Sequence, residues 1–365
     1  MKNVVHKLRI VLLVLVLLAS GTISGCSGKT KTEPAHFSDK SAPEGKRIFV
    51  DSLGRELEIP KEVKRIVPSG RLAQLFLTMT CPEKLVSLAN LPLVWDPVAK
   101  DLPLTGQLYG GSGQFNREEV LKISPDVIID LGEAKETIRD DMEKIQSVTG
   151  VPTIFIEANI TQTANAFRLL GQLFGNEAHC EELATYTEEA IRFAQDKAKT
   201  LSKEQKTRVY QTSTADGLGA DLNGTAHAEV LNLVGAVNAA DVDAVGGRPG
   251  QRVSMEEILN WNPQVIVCTN ATGYATVRKQ SLWKEVDAVK NNRVYLAPSV
   301  PYNVLSSPPS ANRVIGIYWL GKTVYPELYQ EINLEQKIRE WYHLAYHHDL
   351  TEEEMEKYFP DVRGK

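Results

Sequence analysis

Cysteine is scarce in this chain, and its four copies, at positions 26, 81, 180 and 268, form no close-spaced pair. That spacing excludes a zinc ribbon and a disulfide scaffold. An excess of positive charge is missing too: 41 basic and 46 acidic side chains in 365 residues give a formal net charge of −5. Without residues 1–25, which hold Lys2, Lys7 and Arg9 but no acid, 38 bases face 46 acids, a net −8. Such a body lacks the basic face that non-specific nucleic-acid binding needs. No long apolar run follows the N-terminal region, whereas a spanning helix takes about 20 apolar residues. Catalytic signatures are also lacking. There is no GxSxG or CxxC motif, and Gly217-Leu218-Gly219 lacks the third glycine of a dinucleotide fingerprint. Asp241-Val242-Asp243 opens like a calcium loop, but position 252 is Arg where Glu is needed.

What is present begins with MKNVVHKLR, followed by ten uninterrupted apolar residues, IVLLVLVLLA. A basic start and a short apolar run form a secretory signal over residues 1–25. It ends Ile23-Ser24-Gly25-Cys26, which resembles a bacterial lipobox: an aliphatic residue, two small ones and the cysteine that receives the lipid. Cys26 is therefore the expected lipidation site. The expected location is the extracytoplasmic face of the cell membrane, held by acyl chains. Residues 26–46 are rich in Ser, Lys, Pro and Gly without apolar periodicity and are expected to form a flexible tether.

The body contains an internal repeat. Residues 118–130, EEVLKISPDVIID, match residues 256–268, EEILNWNPQVIVC, at an offset of 138. Each copy predicts a short helix, a proline turn and a buried strand. Strands are also predicted around 65–67 and 208–210 before the copies, and around 151–156 and 292–296 after them. Strands alternating with helices imply doubly wound α/β lobes with parallel sheets. The expected organisation is an N-terminal lobe at 47–165, a bridging helical segment at 166–204, a C-terminal lobe at 205–330 and a helical tail at 331–365. Within the bridge, 177–201 lacks Gly and Pro and predicts one helix of roughly 37 Å. In the tail, Thr351 with Glu354 predicts a capping box.

These residues resemble the solute-binding proteins of bacterial ABC importers for iron–siderophore complexes, haem and cobalamin. The resemblance covers nearly all of the mature chain. It rests on Asp51-Ser52-Leu53-Gly54-Arg55, Arg65-Ile66-Val67, the two repeat copies, Gly235-Ala236-Val237-Asn238, Val253-Ser254-Met255-Glu256 and Pro308-Pro309-Ser310-Ala311-Asn312-Arg313 with Trp319-Leu320. It implies two α/β lobes joined by a single long helix, with a ligand cleft between them and no covalently bound cofactor. The implied partners are permease subunits with a cytoplasmic ATPase, and the receptor is expected to be a monomer. In the cobalamin-binding relatives, one glutamate on each lobe pairs with permease arginines, in a motif of Asn or Ser, any residue, then Glu. Asn116-Arg117-Glu118 and Ser254-Met255-Glu256 match it, so Glu118 and Glu256 are the docking candidates.

Ligands of open α/β sheets sit outside the carboxyl ends of the strands. The loops there offer Ser69, Arg71, Trp95, Tyr109, His227, Arg248, Tyr274, Tyr302 and Arg313 as ligand-binding candidates, with Arg252 as a further arginine. Guanidinium groups suit carboxylate, hydroxamate, catecholate and oxyanion oxygens. Aromatic side chains offer flat faces with polar handles. His343 and His347, one turn apart on the tail with His348 beside them, have metal-pair spacing, but the segment lacks the Glu of HExxH and a solvated helix is the better reading, so no metal site is expected. The transported ligand suggested by the resemblance is an iron complex: a ferric siderophore first, then haem or cobalamin. Molybdate or tungstate is the alternative. A chelatase-like enzyme and an adhesin are rival classes; the first needs a cleft acid or base with a strongly shifted pKa, the second an exposed apolar or repetitive surface.

Overall fold

The computed structural model describes residues 33–91, 95, 98, 101–108, 116–242, 249–306 and 308–363. The signal, Cys26, Tyr109 and Arg248 lie outside them. The described chain opens with β1 (His36–Phe37), β2 (Lys46–Val50) and β3 (Glu56–Pro60), an antiparallel sheet in that order. The tether is thus shorter than expected. Phe37 packs edge-on against Phe49 with ring centroids 5.2 Å apart, under the Arg47 guanidinium at 4.3 Å, and Ala35 is buried. Those apolar contacts hold residues 35–37 to the body. The Asp51–Arg55 stretch is structural. Buried Asp51 accepts the Leu53 and Arg55 amides at 2.9 and 3.1 Å and pairs with the Arg55 guanidinium. Arg55 also reaches the Thr153 carbonyl at 2.6 Å, fastening the hairpin to the lobe.

The N-terminal lobe follows as β4 (Ile66–Pro68), α1 (Arg71–Thr80), α2 (Arg117–Ile123), β5 (Val127–Gly132), α3 (Ile138–Thr149) and β6 (Thr153–Glu157). Its strands are parallel, in the order β4-β5-β6. Next come α4 (Thr163–Phe174) and α5 (Glu177–Lys199). Gly175, at φ +76°, caps α4 in the left-handed region and separates it from α5. The C-terminal lobe contains β7 (Arg208–Thr212), β8 (Gly219–Ala220), α6 (Glu229–Leu233), β9 (Val237–Asn238), β10 (Gln251–Arg252), α7 (Met255–Trp261), β11 (Val265–Cys268), α8 (Ala271–Lys279), α9 (Asp287–Lys290) and β12 (Val294–Leu296). Strands β9, β7, β11 and β12 pair in parallel as expected. The short β8 and β10 add antiparallel pairs at one edge, so this sheet is mixed. The chain ends with α10 (Arg313–Val324), α11 (Leu334–Tyr346) and α12 (Glu352–Tyr358). No helix among the described residues is long and apolar enough to cross a membrane.

The repeat extends to its hydrogen bonds. Helix α2 is capped by the Asn116 side chain and α7 by a Ser254–Glu257 capping box. Both helices end in a left-handed residue, Ser124 or Asn262, immediately before the proline. After the proline, the Asp126 carboxylate accepts the Arg65 amide at 2.9 Å and the Gln264 amide oxygen accepts the Arg208 amide at 2.9 Å. Each side chain joins its strand to the preceding one, β5 to β4 and β11 to β7. The Pro-Asp/Gln step is thus one structural device used twice.

Helix α5, about 35 Å long at 1.5 Å per residue, buries Cys180, Leu183, Ala184, Thr187, Ala190 and Ala194 along one face. Those apolar residues share a core with Ile129 and Ile154 of the first sheet and Val209 and Val267 of the second. One core therefore runs from lobe to lobe along α5. Buried Asn312, just before α10, is the tail's anchor. Its oxygen accepts Trp341 Nε1 and the Tyr346 hydroxyl, both at 2.9 Å, and its nitrogen donates to the Tyr302 carbonyl at 2.8 Å. Thr351 and Glu354 form the expected capping box at α12.

Replacing Asn312 with Ala removes the hydrogen bonds that it makes to two buried donors and a carbonyl. At about 1–3 kcal/mol for each unmet group, a loss of roughly 3 kcal/mol or more is expected in urea unfolding. A change below 1 kcal/mol contradicts the anchoring role.

Candidate ligand-binding cleft

Strands β4 and β5 end side by side, and their carboxyl ends open into a cavity of about 570 Å³. Ser69 continues from β4 with its amide bonded to the Ile129 carbonyl at 2.9 Å and its hydroxyl donating to Asp130. It is fully buried and shapes the wall. Gly70 then turns the chain into α1. The Gln107 amide lies so close that a Cβ on Gly70 would stand 2.4 Å from its nitrogen. The missing side chain is what permits this approach. The Arg71 amide donates to Gln107 Oε1 at 3.3 Å. The first turn of α1 faces the cavity with Gly70, Arg71 and Leu72, and the other polar lining residues are Asn90, Gln107, Asp130, Glu133, Lys135, Thr137 and Asp141. Gln74 fixes the Asn90 loop by accepting the Ala89 and Asn90 amides at 2.8 and 3.0 Å.

Two of the expected residues, Arg71 and Tyr302, meet where the two halves face each other. The exposed Arg71 guanidinium lies 5.9 Å from the centre of the Tyr302 ring, which belongs to the C-terminal half. His227 is buried, with Nδ1 2.7 Å from the Ser306 hydroxyl. Burial holds its pKa below the usual histidine value, partly opposed by Asp221 and reinforced by Arg313. Glu133 and Lys135 of the cavity wall also act on it, with opposite signs.

Other candidates sit elsewhere. Arg313 is a correction: it is 1% exposed and its guanidinium is committed to protein partners. Its Nε donates to the Ser310 carbonyl and Nη1 to the Ala226 carbonyl, both at 3.1 Å. Nη2 reaches the Ala158 carbonyl at 3.3 Å, and Glu229 forms the ion pair. Trp95 is also occupied. It stacks on His348 at 4.5 Å and donates to Glu354 at 3.1 Å, so it ties its segment to the tail. Tyr274 accepts from Arg278 at 2.7 Å along its own helix. Arg252 pairs with Asp216. His343 bonds Asp349 at 2.7 Å, His347 is the left-handed cap of α11 and His348 bonds Glu354 at 3.0 Å. Glu118 and Glu256 are both exposed, each in the first turn of its helix. Sequence reasoning missed Gln107, Glu133, Lys135 and Glu229; nothing local distinguishes them from surface polar residues.

The sign of the His227 shift fixes a pH dependence. A histidine held below its unfolded pKa stabilises the fold above that value, and the contribution is lost as pH falls from about 6.5 toward the folded pKa. NMR titration should find His227 neutral at pH 6.5. Stability should fall less steeply below pH 6.5 in His227→Gln than in wild type. A His227 midpoint at or above 6.5 contradicts this. His347, also lowered by burial, adds a background common to both proteins.

The comparisons with known proteins agree with this architecture. A family model described as periplasmic binding protein matches residues 84–301. An uncharacterized ABC transporter substrate-binding lipoprotein, YvrC of Bacillus subtilis, is 25% identical over 325 residues, covering 87% of this chain and 97% of that protein. The Fe(3+)-citrate-binding protein YfmC of the same organism is 24% identical over 300 residues, covering 78% and 88%. Among solved structures, the molybdate periplasmic binding protein MolA of Haemophilus influenzae, bound to molybdate, superposes with a TM-score of 0.69 at 20% identity, covering 84% of this chain and 99% of that one. With its matched repeat, its two sheets on one long helix and a cavity at the strand ends, the chain belongs to the periplasmic binding protein family.

Proposed function

We propose that the chain is the lipid-anchored, extracytoplasmic substrate-binding protein of an ABC importer. It captures a ferric chelate, siderophore-type before haem or cobalamin, and delivers it to the permease. The observation that carries the ligand class is the cavity. At about 570 Å³ it falls in the range of roughly 300–1,000 Å³ that suits drug-sized ligands, and a bare oxyanion leaves most of it empty. Arg71, Lys135 and the first-turn amides of α1 supply donors for the oxygens of an anionic complex. Molybdate or tungstate is the second reading, favoured by the same donors and by the MolA likeness. The work is closure of the lobes on the ligand, with no reaction. Glu157 is the cleft-side carboxyl with a raised pKa, caused by burial. Its oxygens already accept the Ala134 amide at 3.1 Å and the Asn159 amide at 2.9 Å. It has the environment of a structural group, which argues against the chelatase class.

Thermal-shift assays on protein lacking residues 1–26 should show stabilisation by at least one of ferric citrate, a ferric hydroxamate, a ferric catecholate, haemin or cobalamin. Stabilisation by molybdate or tungstate alone transfers the assignment to the oxyanion reading. Arg71→Ala should weaken the bound complex by about 1.5–3 kcal/mol, the value of a charge-assisted hydrogen bond; unchanged affinity removes Arg71 from the site. Cys26→Ala should leave the precursor uncleaved or release the protein from membranes, as fractionation of cells would reveal. Normal retention with a cleaved signal refutes the lipid anchor.

A further inference from the structure

The repeat leaves a matched pair of apolar side chains in water. Leu121 on α2 is 43% exposed and Leu259 on α7 is 40% exposed. They occupy the same position in the two copies, three residues beyond Glu118 and Glu256. Residues three apart share a helix face. The burial pattern of 118–123 is repeated at 256–261: exposed, half-buried, buried, exposed, exposed, half-buried. Val120 and Ile258 point into the protein, while the glutamate and leucine on each helix face solvent. Neither glutamate is committed to an ion pair among the described residues. Helices α2 and α7 begin beside the loops at the strand ends: the Asn116 amide bonds the Thr105 carbonyl at 3.4 Å and the Val253 amide bonds the Leu218 carbonyl at 2.9 Å. Each half therefore presents one acid and one leucine near the cleft mouth. Two copies of one surface fit two copies of one complementary surface, with a basic group for the acid and an apolar recess for the leucine.

We propose that Leu121 and Leu259 are the apolar anchors of a two-point docking face, each entering a recess beside a basic group on one of two equivalent subunits of the membrane partner. This rests on the importer reading above and adds the leucines to the glutamates. Opposite charges alone give long-range attraction and register; a desolvated leucine at each point gives the contact its lifetime.

The test uses the full-length lipoprotein in its own cells, with a photo-crosslinking amino acid at position 121, 259 or 117. Positions 121 and 259 should capture the same multispanning membrane protein. Capture of different proteins, or of none, overturns the proposal. From position 117, the crosslink to that protein is then the reporter. The double variant Leu121→Asp with Leu259→Asp should lower its yield at least threefold at equal protein level and equal melting temperature. The double variant Glu118→Arg with Glu256→Arg separates the two ideas. If charge reversal abolishes the crosslink while the leucine variant keeps it within threefold, docking stands and the leucine anchors fall. If neither variant changes it, both fall.

Discussion

The relative position of the two halves depends on one buried cation. Arg313 sits at the first turn of α10, and its guanidinium gathers the Ser310 and Ala226 carbonyls, the Ala158 carbonyl and the Glu229 carboxylate. Ala158 follows β6 in the N-terminal half, whereas Glu229 opens α6 in the C-terminal half. Glu229 also accepts the Ile160 amide at 3.0 Å. The crossing between the halves, the start of α6 and the start of α10 are thus all oriented by one charge. A buried ion pair of this kind is of uncertain net stability, but removing one partner strands the other charge and costs about 3–5 kcal/mol. Its value here is positional. With α5 packed into a core shared by both sheets, this tie fixes one half against the other.

The same region shows what a sequence can and cannot disclose. Local rules were legible: the capping box at Thr351, the helix–proline–strand units and the parallel pairing of the main strands. Each depends on neighbours within a few residues. Arg313 was misread as a ligand-binding group because its partners are 84 and 155 residues away. A loop arginine near a cleft has the same local sequence whether it faces a ligand or a buried carboxylate. Trp95 fails for the same reason, since its partners lie in the tail. Phe37 marked the end of the tether, but one aromatic residue among polar ones carries no periodicity.

The cleft residues fall between these cases. The strand-end rule correctly places the loop after β4 at the cavity, because parallel sheets leave their carboxyl ends open. It does not distinguish Ser69, consumed by Asp130, from Arg71, which faces the open space. Glu133 and Lys135 follow β5 by a few residues and were as eligible as Arg71 under that rule. What hid them was their type: a Glu and a Lys in a polar loop look like any solvated pair. The cavity makes them matter by placing them opposite His227, whose protonation they influence with opposite signs.

The repeat links the cleft to the surface proposed for docking. Helix α2 runs through its proline turn directly into β5, and β5 ends at Asp130–Gly132 in the cavity wall. Helix α7 runs in the same way into β11, which ends beside the Thr269 carbonyl that Asn303 reaches at 3.5 Å. Each of these helices is therefore joined through one proline turn to a strand of its own half. A ligand that draws the strand ends together changes the separation of Glu118 and Glu256, because no flexible segment intervenes on either side. Two equivalent sockets at a fixed spacing on the partner then bind one lobe separation best. In the proposed docking, ligand capture and partner affinity would be coupled by that separation, and the coupling would be reciprocal. The sequence duplication that builds the two strands also builds the two helices on which the proposed docking rests.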